Sequence, residues 1–91
     1  MRGGSDEHIP ISELNEILRS ILEKKDDIQV RKDIDSIVIE KGNKSFQINE
    51  DGTIQGSMPL HSFHTHSATS LTIGSEDIEV HYENGTHVFF I

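Results

Sequence analysis

Apolar residues recur first with a helical period and then with a period of two, and that change organises the whole chain. Leu14, Ile17, Leu18, Ile21 and Leu22 stand at i, i+3, i+4, i+7 and i+8, the stripe of an amphipathic helix. Ahead of it, Pro10-Ile11-Ser12-Glu13 offers a capping hydroxyl at Ser12 and acidic residues for the first turn. Behind it, Lys24 and Lys25 suit the negative end of the helix dipole. The spacing predicts a helix over 12–25. A stripe this wide could serve as a partner-binding face, but its usual duty is to cover a sheet, and the helix is expected to do so.

The alternating stretches pair themselves. Ser36–Lys41 and Lys44–Ile48 flank Gly42-Asn43, a two-residue hairpin loop that sets Lys41 against Lys44, Ile39 against Phe46 and Ile37 against Ile48. After Glu50-Asp51-Gly52, a two-residue loop would set Ile54 against Asn49. A three-residue loop with a left-handed Gly52 pairs it with Ile48 instead, and the apolar pattern selects that one. Near the C-terminus, Asn84-Gly85 is a strong hairpin signal. Taken as the loop, it pairs Tyr82 with His87, Val80 with Phe89 and Ile78 with Ile91. Two further strands are expected near 60–66 and 69–73.

The fold class predicted is α+β: one N-terminal amphipathic helix packed on an antiparallel, hairpin-rich sheet of five to seven strands. The 91 residues make one domain, expected over 11–91 behind a disordered tail at 1–10. Apolar residues are 33% and aromatics 5%, so the core must be aliphatic. Without cysteine, disulfides and thiolate metal sites are excluded. No stretch approaches the roughly 20 apolar residues of a membrane span. MRGGSDEH lacks the apolar run of a secretory signal, so the expected location is the cytoplasm. Sixteen acids against eight bases give a formal charge of −8, which phosphate backbones and anionic lipids repel. The expected partner is therefore a protein, a basic one suiting the charge, with nucleic acid and membrane excluded.

Chemistry concentrates in HSFHTH, residues 61–66, which holds three of the six histidines. In a strand, His64 and His66 share a face about 6.6 Å apart, close enough for two imidazoles to meet one zinc ion. Asp77, Glu79 and His81 share the non-core face of their own strand, so Asp77 or His81 could supply a third ligand if the strands are neighbours. Crowded histidines are also candidate pH sensors. No phosphate-binding glycine loop, nucleophile elbow or reactive cysteine is present.

The run Pro59–Ile91 resembles the signature of the JAMM (MPN-type) zinc isopeptidases, His-x-His, seven residues, Ser, two residues, Asp. His64, His66 and Asp77 fall on the metal-ligand positions. Leu60–Phe63 corresponds to the short strand ahead of the pair, and Gly85 to a glycine beyond the acid. The resemblance implies a zinc-bound water that hydrolyses a peptide or isopeptide bond, with Glu40 as the general base, and a helix starting at Asp77. The spacing of Glu40 is not the family's, and the sequence departs from the pattern in three further places. Gly74 stands at the serine position with Ser75 beside it, Ser67 replaces a common proline, and Ile78–Tyr82 alternates like a strand.

Two functions follow. The leading one is a small, soluble, acidic module that binds or regulates another protein without catalysis. Its contact would be an exposed edge strand, Ile28–Arg31 or the C-terminal strand, and it would act as a monomer or as a homodimer through that edge. The alternative is a reduced JAMM-like zinc metallo-isopeptidase, or an inactive relative that kept zinc as its only cofactor.

Overall fold

A computed structural model describes residues 8–58 and 61–91, with the backbone alone at 58 and 61–63. The elements in chain order are β1 (Ile9–Pro10), α1 (Leu14–Lys24), β2 (Gln29–Lys32), β3 (Ser36–Lys41), β4 (Lys44–Asn49), β5 (Ile54–Met58), β6 (His61–Thr65), β7 (Ala68–Ile73), β8 (Asp77–Tyr82) and β9 (Gly85–Phe90). The class is α+β, as the periods indicate. The strands, however, form two antiparallel sheets, β1-β7-β8-β9 and β2-β3-β4-β5-β6, rather than one sheet of five to seven. Both inner faces feed a single core: Ile37, Ile39, Phe46, Ile48 and Ile54 from one, and Leu71, Ile73, Ile78 and Val80 from the other. The helix packs against β3 of one sheet and β7 of the other, and buries Leu14, Ile17 and Ile21.

The chain changes sheets between β6 and β7. Ser67 at that corner takes φ 69, and Ala68 N donates to Gly52 O at 3.0 Å. Alternation within a strand says which residues face inward, but not which sheet the strand joins. That is why the sequence reading merged the two.

Two of the three hairpins have the expected registers. Ile39 faces Phe46, Ile37 faces Ile48 and Lys41 faces Lys44. Ile48 faces Ile54, with Gly52 at φ 97 in the turn between them. The C-terminal hairpin corrects the expectation: its loop is Glu83-Asn84, and Tyr82 pairs with Gly85, Val80 with His87 and Ile78 with Phe89. The shift is two residues, so every side chain keeps its face. It also frees Ile91 from the ladder. Ile91 is buried, its N–H donates to Glu76 O at 3.1 Å, and its own oxygen accepts from Lys25 Nζ at 2.7 Å.

The helix is shorter than 12–25. Glu13 rather than Ser12 holds the N-cap position, without a side-chain cap, because a turn closed by Glu13 N donating to Pro10 O leads into it. Lys25 has left the helix in an extended conformation. Its buried ammonium has a pKa below the ordinary lysine value, chiefly through desolvation, which Asp77 opposes. Leu18 is half-buried, and Leu22, at the margin of the stripe, is 60% exposed. Ile9 and Pro10, read from sequence as tail, pair with Leu71 and Ser70; residues 1–7 lie outside the described residues.

Candidate functional site

The structure distributes the four residues read from sequence as a zinc centre over separate surfaces. His64 is exposed on β6, paired with Gln55. With Val38, Gln47 and Ser57 it lines a shallow groove of about 300 Å³ on the outer face of the five-stranded sheet. His66 lies past the end of β6, where strand alternation no longer applies, and lines a different cavity. Asp77 opens β8 in the other sheet, opposite Phe90, and its Oδ1 occupies the space a Cβ on Gly74 would take, 2.2 Å away. Glu40 is exposed on β3, between Gln29 and Ser45. Among the described residues, no three His, Cys, Asp or Glu side chains are grouped to hold a metal ion. Asp77–Tyr82 forms a strand, where the resemblance implies a helix. Pro59 and Leu60, which the resemblance also uses, lie outside the described residues.

Among the described residues, the histidine held by two side-chain hydrogen bonds is one that the motif did not single out. His81 on β8 shares a hydrogen bond with Thr72 Oγ1 through Nε2 at 2.8 Å and with Thr86 Oγ1 through Nδ1 at 3.1 Å. His8 stacks on it, ring centroids 4.0 Å apart and planes within 4°. Desolvation holds the His81 pKa below its ordinary value; His8 acts the same way and Glu79 opposes. The folded chain therefore binds this proton less readily than the unfolded chain. The stability His81 contributes is complete above about pH 6.5 and declines as pH falls below it. The difference in unfolding free energy between wild type and His81→Gln should shrink from about pH 7.5 to about pH 5. Urea titrations of both proteins measure it, and a difference that stays constant or grows would contradict the assignment.

Beside the corner between the sheets lies an open cleft of about 640 Å³, lined by Thr65, His66, Tyr82, Glu83, Asn84 and His87 among others. The Thr65 and Tyr82 hydroxyls are hydrogen-bonded to each other. The Tyr82 and His87 rings stand 5.2 Å apart at 60°. Among the described residues, neither Lys nor Arg lines it.

Next to the cleft runs β9, the last strand of its sheet. Tyr82 and Gly85 flank the two-residue turn and so form a hydrogen-bonded pair. By alternation, Thr86, Val88 and Phe90 turn their N–H and C=O groups to the open edge. The Lys44 ammonium donates to one of these, Phe90 O, at 3.3 Å. Val88 is 44% exposed and Phe90 64%, and no charged residue occurs in β9. By contrast, β2, an edge of the other sheet, carries Arg31 and Lys32, charges of the kind that discourage strand addition. The sequence held a signal for β9's exposure. Val88-Phe89-Phe90-Ile91 is a four-residue apolar run, and a strand covered on one face must turn alternate members of it outward.

Comparisons with family models, with curated proteins and with solved structures found no match to this chain. Among the described residues, no helix is long and apolar enough to cross a membrane.

Proposed function

We propose that this chain is a soluble, cytoplasmic, non-enzymatic module that binds another protein by accepting an extended segment of it along β9. One observation carries the reading: an uncharged edge strand that exposes Val88 and Phe90 and has backbone donors and acceptors directed outward. Such an edge supplies main-chain hydrogen bonds, and the exposed side chains supply apolar contact. The acidic surplus of the whole chain favours a basic partner over a second copy of this chain, which would bring together two molecules of charge −8.

Val88→Pro tests it. Val88 N–H points away from β8, so proline removes a donor from the open edge without breaking the β8–β9 ladder. A partner retained by wild type should be lost by the variant while thermal unfolding changes little. The Thr86, Val88 and Phe90 amides should also exchange more slowly in the wild-type complex. Retention by Val88→Pro would overturn the reading, as would loss of the partner in a correctly folded His64→Ala variant, since His64 lies on the outer face of the other sheet. The JAMM-like alternative makes a separate prediction: stoichiometric zinc uptake that His64→Ala, His66→Ala or Asp77→Ala abolishes. A zinc titration that gives this result would favour the zinc-binding alternative, and a peptide or isopeptide cleavage assay would then separate the hydrolase from the inactive relative.

A further inference from the structure

We infer that the cleft beside β9 receives a lysine or arginine side chain of the segment that pairs with that strand. The inference rests on the β9 reading and names the chemistry of the partner. Among the described residues, the lining includes the Glu83 carboxylate, the imidazoles of His66 and His87, and no lysine or arginine. The Tyr82 and His87 rings line the same cleft, 5.2 Å apart. A carboxylate and a tyrosine ring lining one cleft attract a cation through charge and through the ring quadrupole. An anionic group would meet Glu83 and the acidic surplus of the chain without a compensating lysine or arginine among the described residues.

The ladder fixes which partner residue enters. Tyr82, Val80 and Ile78 face the interior side of the four-stranded sheet, and their register partners Gly85, His87 and Phe89 lie on that side too. Thr86, Val88 and Phe90 therefore face outward. In a strand added to β9, the residue opposite His87 projects on the cleft side, its Cβ about 5 Å from that of His87. Residues opposite Val88 and Phe90 lie beside those two exposed apolar side chains. The segment selected has apolar residues two apart and a basic residue adjacent to one of them. Run antiparallel to β9, it reads apolar-x-apolar-basic, ending opposite His87.

The test uses the isotopically labelled full chain and two capped synthetic peptides. One contains Val-Thr-Val-Arg; the other replaces arginine with citrulline, its neutral isostere. The arginine peptide should shift the Thr86, Val88 and Phe90 amides together with Tyr82, Glu83 and His87. The citrulline peptide should bind about three- to tenfold more weakly. Glu83→Gln should weaken the arginine peptide about two- to fivefold and leave the citrulline peptide unchanged. Equal binding of the two peptides, with β9 shifted and the cleft silent, overturns the cleft assignment and leaves the edge reading standing. N-acetyl-arginine amide that shifts the cleft, with neither peptide shifting β9, supports the cation site and overturns the edge reading. No shift from any of these probes at millimolar concentration overturns both. Cleft shifts from methyl glucoside, with none from the arginine probes, would overturn the assignment of a cation.

Discussion

Truncating Phe46 to alanine should cost about 3–5 kcal/mol of stability, the range for an aromatic removed from a packed core. The side chain is 2% exposed. On its own sheet it lies between Ile39 and Gly56, and glycine has no side chain to spread into the vacated space. Its ring also meets Phe89 of the opposite sheet, centroids 5.4 Å apart at 48°. Domains of this kind have only about 5–15 kcal/mol to lose. Phe46→Leu should cost less, about 1–2 kcal/mol, because most of the volume stays filled. Guanidinium unfolding followed by circular dichroism measures both. In the alanine variant, the His87 and Phe89 amides should exchange faster, because β9 has lost its contact across the core. A loss below about 1 kcal/mol would mean that β9 is not held through this ring.

Gly52→Ala should be the second most damaging change, at about 2–4 kcal/mol, combining backbone strain with overpacking. Gly52 has φ 97, a region that a residue with a Cβ enters at a cost. The added Cβ would also stand 3.0 Å from Ala68 O and 3.3 Å from Ala68 N. Both are backbone atoms and cannot swing aside as a side-chain tip would. Gly52 O also accepts from Ala68 N, so the turn between β4 and β5 is latched to the corner between β6 and β7. His66 and Thr65, which line the cleft, sit at that corner. Thermal unfolding should show the loss, and the amide signals of residues 65–69 should shift further than those of the β3–β4 hairpin. A variant as stable as wild type would show that the turn can relax without disturbing the corner.

What could be read along the chain was local. The stripe from Leu14 to Ile21 determined the helix, because positions three and four apart share a face whatever lies opposite. Gly42-Asn43 and the demand that Ile54 be buried determined two registers, because a slip of one residue would turn every apolar side chain to solvent. The same logic explains the misplaced third register. A slip of two preserves both faces, so the pattern of Ile78, Val80, Phe89 and Ile91 could not tell the Asn84-Gly85 loop from the Glu83-Asn84 loop. The burial of Ile91 and its hydrogen bond from Lys25, 66 residues away, accompany the second.

The functional surfaces belong to tertiary structure for a related reason. His64 and His66 look like neighbours on one strand face only while the strand continues. It ends at Thr65, and the corner sends the two imidazoles to different cavities. The cleft joins residues 65–69 to residues 82–87 across two sheets, a pairing that no periodicity within either segment encodes. An edge strand was legible as a candidate, since some strand must end each sheet. That β9 is an edge, with Val88 and Phe90 left uncovered, was decided by how the two sheets close on one core. Face alternation is a property of a strand and its neighbour, and was written in the sequence. Exposure depends on everything packed around that strand, and only the assembled fold specified it.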